Sequence, residues 1–361
     1  MHYDIFCKIV DNFGDIGVCW RLAKQLANAH DLRIRLFIDD FSVASKIIPS
    51  LNINKTTQFI ENVEISPWPV DSTQPANVVI ETFACGLPEA YLHRAAQQKS
   101  LWINLDYLSA EDWVNVFHAK PSPHPTLPIT KHFFFPGFTA NTGGLIREKN
   151  LLVERDAFLA STQQQAAFWQ KLGVQPNEHA IKISLFCYAQ ADLAGLFSAL
   201  NQYSQPIQLV VPENSLIANF IANNIQLAKN IQICQLPFLS QDDYDKLLWA
   251  CDLNFVRGED SWIRAIWAGK PFIWQPYIQT ENTHLTKLEA FINLYYKSYE
   301  QKEMVWKAHK HWAAGHGFGS ALENYLKTLK NTAAFCQQQS MLLAQQTDLA
   351  TRLVAFANCN T

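Results

Sequence analysis

The sequence predicts an α/β protein of two Rossmann-like domains, each a parallel sheet covered by helices, facing one another across a cleft. Three observations predict it. Apolar, β-rich runs alternate with helical periodicities along the whole chain, the pattern of parallel sheets packed by helices on both faces. The length of 361 residues exceeds what one hydrophobic core usually organises. Two short acidic loops, Asp11-Asn12-Phe13-Gly14-Asp15-Ile16-Gly17 and Arg257-Gly258-Glu259-Asp260-Ser261, each stand where a strand hands over to a helix, the place where open α/β sheets bind ligands.

In the first half, strands are expected near 3–9, 33–38, 77–81, 100–105 and 131–135, with helices near 17–28, 41–48, 87–98 and 109–117. The run Ala119 to Pro128 holds four prolines in ten positions, which excludes regular helix or central strand and reads as a surface loop. A long helix from about Glu154 to Leu172 precedes Gly173-Val174-Gln175-Pro176-Asn177, the best boundary signal in the chain. The expected domains are therefore 1–172 and 173–345, with a terminal helix over 346–361 packing back on the first. The second half restarts the pattern with Ile181 to Tyr188, followed by strands near 207–211, 231–235, 252–256 and 271–274. From Asn282 onward the text is helical, with glutamine-rich turns at 337–339 and 345–346 and no tandem repeat.

Composition narrows the function. A net charge of −3 argues against a nucleic-acid binder, whose footprint would be basic. The N-terminus Met1 to Lys8 carries charges inside its apolar run and no small-residue cleavage site, so it reads as a strand rather than a signal peptide. No segment approaches the roughly 18 uninterrupted apolar residues a membrane span needs, so a soluble, cytoplasmic protein without a membrane partner is expected. The 8 cysteines include no C-x-x-C pair and the 11 histidines no H-E-x-x-H, so buried reduced thiols are expected, and neither a metal nor a cofactor.

In the first loop, Gly14 and Gly17 allow close backbone approach, and Asp11 and Asp15 supply two carboxylates. Either aspartate also suits a plain structural role, as helix cap or turn residue. In the second loop, Arg257, Glu259, Asp260 and Ser261 converge on a helix start, whose N–H groups and dipole bind phosphate oxygens without a metal. The plain alternative there is a capped helix with Arg257 paired to Glu259 or Asp260 on the surface. Phe186, Tyr188 and Tyr244 offer flat faces to a base, with ordinary core packing as the alternative, strongest for Phe186. Asp243-Tyr244-Asp245 matches the D-x-D spelling of metal-dependent glycosyltransferases, but at a helix start it reads as dipole complementation.

The order of acidic helix start, Gly269-Lys270-Pro271 turn and strand Phe272 to Gln275 resembles the nucleotide-binding half of GT-B glycosyltransferases. More specifically, the stretches Asp11 to Leu22 and Leu248 to Ser261 resemble the bacterial protein-arginine rhamnosyltransferases that modify elongation factor P. Leu105 to Trp113, Phe134 to Phe138 and Trp267 to Phe272 extend that resemblance over nearly the whole chain.

The resemblance implies a metal-independent, inverting GT-B enzyme that moves L-rhamnose from dTDP-β-L-rhamnose to an arginine of elongation factor P. It implies catalytic roles for Asp11, Asp15 and Glu259, with Asp15 as general base. It implies donor binding by Phe13, Gly14, Phe186, Tyr188, Gln241, Tyr244, Arg257, Gly258, Asp260 and Ser261. Tyr244 stands where relatives are expected to carry phenylalanine, a change that preserves stacking. A protein acceptor would dock around Asp106 to Trp113 and the proline-rich loop. Two other readings stay open from the residues alone: a GT-B enzyme acting on a small molecule or glycan, and a non-catalytic nucleotide-sugar-binding regulator. A Rossmann oxidoreductase is disfavoured, because no G-x-G-x-x-G follows the first strand.

Overall fold

Apolar residues on both faces of a strand demand cover on both sides, and the first unit, Met1–Lys149 with Ala344–Thr361, is built that way. In this computed structural model, which describes every residue except 12, 70, 71 and 225, it runs β1 (His2–Cys7), α1 (Gly14–His30), β2 (Arg33–Ile38), α2 (Phe41–Ile47), β3 (Gln58–Ile60), β4 (Val63–Pro67), β5 (Val78–Thr82), α3 (Glu89–Gln98), β6 (Leu101–Leu105), α4 (Trp113–Phe117), β7 (Pro121–Pro123) and β8 (Thr130–Phe134). The sheet order is β3-β4-β2-β1-β5-β6-β8-β7. Its inner pairs are parallel, and only the two edges are antiparallel. Phe6, Phe37, Val79, Tyr91, Ala95 and Trp102 form the core between the sheet and α3.

The proline-rich run is not wholly loop. Pro121 and Pro123 flank Ser122 in β7, an antiparallel edge strand against β8, and an edge is where a strand tolerates a missing N–H. The short pair β3 and β4 was not anticipated either; Gln58 to Ile60 is too brief for its period to be read.

The second unit, Asn150–Leu343, comprises α5 (Leu151–Ala160), α6 (Thr162–Lys171), β9 (Ile181–Leu185), α7 (Leu193–Gln202), β10 (Ile207–Pro212), α8 (Leu216–Asn224), β11 (Ile231–Leu236), α9 (Gln241–Ala250), β12 (Leu253–Arg257), α10 (Asp260–Ala268), β13 (Phe272–Gln275), α11 (Thr283–Tyr295), α12 (Lys302–Ala314), α13 (Phe318–Lys327) and α14, which ends at Ala344. Its sheet, β11-β10-β9-β12-β13, is parallel throughout. Trp262 of α10 stacks on Trp274 of β13 at 3.7 Å, with Phe291 edge-on at 4.9 Å. All three are buried, and burying side chains of this size, worth roughly 1.5–3 kcal/mol each, fixes α10 on the sheet. The chain returns to the first unit as α15 (Leu349–Asn360), where Gln25 of α1 donates to Asp348 at 2.8 Å.

The division falls at Asn150 rather than after Leu172. The reason is long-range: Arg155 donates to the Trp267 carbonyl at 2.7 Å and to Ser340 at 3.1 Å, Phe158 packs on Trp249, and Lys171 pairs with Asp243 at 2.6 Å. The expected single helix over 154–172 is two helices, because Ser161 turns extended and its hydroxyl caps α6 at the Gln164 amide. The glutamines at 337–339 continue α14, whereas 345–346 do form a turn.

Among the described residues no helix is long and apolar enough to cross a membrane. All eight cysteines are free; six are buried, Cys85 is half-buried and Cys359 exposed.

Candidate active site

Each sheet reverses its strand order once. In the first unit the chain moves outward from β1 through β2 and β4, then restarts at β5 on the other side of β1. In the second it moves from β9 to β10 and β11, then restarts at β12 beside β9. Such reversals open a crevice at the carboxyl ends of the strands. The loops after β1 and β5 line the first crevice, and the loops after β9 and β12 line the second.

At the first crevice Phe13 occupies the N-cap of α1 without a side-chain cap, and its carbonyl accepts from Gly17. Asp15 lies in the first helical turn, 2% exposed, and reaches back to the loop. Its Oδ2 accepts from the amides of Val10 at 2.7 Å and Asp11 at 2.9 Å, and its Oδ1 accepts from the Tyr107 hydroxyl at 3.3 Å. One carboxylate oxygen is thus saturated by backbone, while the other keeps a lone pair for a ligand. Gly14 donates to the Asp11 carbonyl at 2.8 Å, and a Cβ on it would meet the Asp11 carboxylate at 3.1 Å. The glycine therefore gives room to Asp11. Asn12 lies outside the described residues.

At the second crevice Gly258 adopts φ 64°, the left-handed conformation that favours glycine. Its amide donates to the Gln275 carbonyl at 3.2 Å and its own carbonyl accepts from the Trp274 indole at 2.7 Å. Glu259 takes the N-cap of α10 without capping it, and one of its carboxylate oxygens lies 3.9 Å from the Lys287 ammonium. Asp260 opens the helix, and the Ser261 hydroxyl donates to the Arg257 carbonyl while accepting from the Arg257 amide at 3.1 Å. The Arg257 guanidinium lies over the Tyr188 ring at 4.7 Å, a cation–π contact. Phe186 is half-buried and edge-on to Tyr244, with centroids 5.1 Å apart, so it is not turned wholly into the core.

Gln241 opens α9, buried, one turn before Tyr244. Burial pushes the Tyr244 phenol up, against an opposing hydrogen bond with Ser261. That bond gives the tyrosine hydroxyl a structural partner. Burial likewise pushes the Cys187 thiol up to about 12, with Arg257 opposing, so this cysteine stays protonated between the two aromatics.

The D-x-D carboxylates are spoken for. Asp243 binds Lys171 and Ser240. Burial raises its carboxyl, but those bonds outweigh it and hold the group below the usual carboxylate range. Asp245 makes a bidentate pair with Arg264 at 2.8 and 2.5 Å, both residues buried. That pair ties α9 to α10.

The structure thus gathers Asp11, Phe13, Gly14 and Asp15 at one crevice, and Phe186, Tyr188, Tyr244, Arg257, Gly258, Glu259, Asp260 and Ser261 at the other, with Gln241 at the head of α9. Three residues escaped the sequence reading. Tyr107 reaches Asp15 from the loop after β6, and Lys287 reaches Glu259 from α11. Gln275, fully buried, accepts from the Tyr188 amide at 2.7 Å, while its Nε2 has no hydrogen-bond partner. Gln275 sits opposite Arg257 in the β12–β13 register, a pairing no local spacing reveals.

Comparison with known proteins bears on this chemistry. The family model described as "Elongation-Factor P (EF-P) rhamnosyltransferase EarP" matches residues 3–358. The chain is 41% identical over 373 residues to a protein-arginine rhamnosyltransferase of Pseudomonas putida and 42% identical over 372 residues to that of Pseudomonas aeruginosa, covering 98% of each chain in both cases. Among solved structures it is similar to one that describes the structural basis for EarP-mediated arginine glycosylation of translation elongation factor EF-P, with TM-score 0.68, 30% identity and coverage of 100% of this chain and 99% of that one. It also matches the glycosyltransferase VinC in complex with DTDP, with TM-score 0.53 and 10% identity over 100% of this chain and 99% of the other, a likeness of fold alone. These neighbours show the GT-B fold that the sequence led us to expect.

Proposed function

The chain belongs to the elongation factor P rhamnosyltransferase family, and on that premise we propose that it transfers L-rhamnose from dTDP-β-L-rhamnose to an arginine of elongation factor P, with inversion at the anomeric carbon. Its activity is protein-arginine rhamnosyl transfer. The observation that carries the proposed chemistry is the asymmetric carboxylate of Asp15, with Oδ2 held by two amides and Oδ1 by a single hydroxyl.

An arginine nucleophile is protonated at neutral pH and its lone pairs are delocalised. A carboxylate must orient it and take a proton as the new bond forms. Asp15 Oδ1 accepts that proton, and Asp11 orients the guanidinium from the neighbouring loop. General-base help of this kind contributes roughly 10²–10⁴-fold. The guanidinium nitrogen attacks the anomeric carbon, the bond from that carbon to the diphosphate oxygen breaks, and dTDP leaves from the opposite face. Arg257 and the N-terminus of α10 stabilise the charge gathering on the diphosphate. Glu259 would repel phosphate, so it serves the sugar hydroxyls or the positive charge developing at the anomeric carbon, with Lys287 setting its orientation.

The base of the donor fits the aromatic set Phe186, Tyr188 and Tyr244. The protein acceptor fits the exposed side chains Trp113, Val116 and Phe117 of α4, of which Trp113 belongs to the stretch expected for docking and the other two lie between it and the proline-rich run. A translation factor as acceptor implies a cytoplasmic site of action. Incubating the purified protein with dTDP-rhamnose and elongation factor P tests the reading: a deoxyhexose mass increase on one arginine is expected. An unmodified factor, or transfer to a glycan instead, would overturn it.

A further inference from the structure

The loop that closes β5 holds the least expected backbone in the first unit. Phe83 and Ala84, neither of them glycine, adopt φ 56° and 51° in succession. For a bulky residue this conformation is strained, and such outliers cluster at ligand sites when the surroundings over-determine them. Here they do. The Phe83 amide donates to the Leu105 carbonyl at 2.7 Å and the Ala84 amide to Asn104 Oδ1 at 3.1 Å. Two residues on, the Gly86 amide donates to buried Glu81 at 2.9 Å, whose other oxygen accepts from the Trp102 indole at 3.0 Å and the Lys131 ammonium at 3.3 Å.

This bracing turns the Phe83 ring onto Tyr107, stacked at 4.2 Å and 12°. Tyr107 is itself braced. Its amide donates to Asp106 Oδ1 at 2.8 Å, and Asp106 Oδ2 accepts from the same Asn104 that holds Ala84. One asparagine therefore sets both rings, and the ring it sets by way of Asp106 reaches Asp15 Oδ1, the oxygen that no amide holds. Both rings are half-buried, on the loops after β5 and β6, next to the β1 and β5 reversal.

We infer that Phe83 and Tyr107 form an aromatic platform that seats the planar guanidinium of the acceptor against Asp15 and thereby selects arginine over lysine. The inference rests on the reading of the acceptor as an arginine. A guanidinium stacks on an aromatic face and keeps its edge N–H groups for a carboxylate, whereas an ammonium is a compact, strongly hydrated point charge that gains less from a flat surface. The Tyr107 hydroxyl, bonded to Oδ1, fixes the height at which the guanidinium edge meets that oxygen. Phe83 supports the ring from behind and acts as a positioning residue.

Two experiments test this. In the transfer assay, Phe83→Leu and Tyr107→Leu should raise the acceptor KM about 5-fold to 30-fold, the equivalent of about 1–2 kcal/mol of cation–π contact, with dTDP affinity unchanged as the control for folding. Tyr107→Phe should keep the acceptor KM within about twofold and lower kcat, and Phe83→Tyr should restore the KM that Phe83→Leu loses. Unchanged acceptor KM in both leucine variants would overturn the platform while leaving the transferase reading intact. Separately, guanidinium chloride at millimolar concentration should shift the Tyr107 ring resonances of the wild type, assigned from Tyr107→Phe, and ammonium chloride should not. Shifts without transfer to elongation factor P would remove the acceptor assignment and keep the platform; equal shifts with both ions, or with neither, would remove the platform.

Discussion

The loop after β1 and the loop after β12 occupy equivalent places in their sheets, each beside the point where strand order reverses, yet they carry different groups: two carboxylates in the first, an arginine among two carboxylates in the second. The first holds two carboxylates, one of them pinned by two amides and a tyrosine. The second presents an arginine spread on an aromatic ring, a glycine in the left-handed region and a helix N-terminus. In the proposed reaction the first loop takes the cation and the second the anion. A bisubstrate transferase with a guanidinium acceptor and a diphosphate leaving group needs one of each.

The largest effect expected from breaking this comparison is at Asp15. Asp15→Asn keeps the shape and removes the proton acceptor, so kcat should fall about 10²–10⁴-fold in the transfer assay. Next comes Glu259→Gln, which should lower turnover about 10²-fold while changing donor affinity far less. Equal losses in both quantities would move Glu259 from the reaction to plain donor binding.

The two glycines sharpen the contrast. Gly258→Ala places a side chain at φ 64°, so unfolding in urea should show a loss of about 1–2 kcal/mol, with a raised donor KM. Gly14→Ala meets no such backbone penalty; its Cβ presses on the Asp11 carboxylate, 3.1 Å away. It should lower turnover with acceptor while leaving stability nearly unchanged.

Much of this was legible in the sequence, and what was not has a common cause. The acidic loops could be read because strand, glycine and helix start are local signals, and the parallel strands because their apolar runs are continuous. The partners of Asp243 and Asp245 could not, since Lys171 and Arg264 arrive from other elements. The same holds for the boundary at Asn150, decided by Arg155 reaching Trp267 and Ser340. The Phe83 platform was hidden for a different reason. A left-handed turn is normally spelled with glycine, and Phe83-Ala84, between the strand expected near 77–81 and the helix near 87–98, carries no such signal.

The effect furthest from the two loops concerns acid. Two histidines are kept neutral well below the usual range: half-buried His118, lowered to about 4 by burial and then by the charge of Arg352, and fully buried His309, lowered to about 4 by burial. They use opposite tautomers, since His118 Nδ1 accepts from the Phe135 amide and His309 Nδ1 faces the Val305 carbonyl as donor. The unfolded chain, with ordinary histidine values near 6.5, takes up protons first as pH falls. This stability is therefore whole above about 6.5 and is lost toward 4, by about 2 kcal/mol for fully buried His309 between pH 7 and pH 5 and by less for His118, which water partly screens. Urea unfolding at the two pH values should show the loss, and His309→Gln should reduce it.

The opposition of the two crevices is tested most directly by the binding of dTDP alone, followed by calorimetry in the wild type, Asp15→Asn and Arg257→Ala. Removing a charged hydrogen-bonding partner of the diphosphate should weaken dTDP about 10-fold to 100-fold in Arg257→Ala, whereas Asp15→Asn should bind it within about twofold of wild type. Strong loss in Asp15→Asn with little in Arg257→Ala would contradict the account.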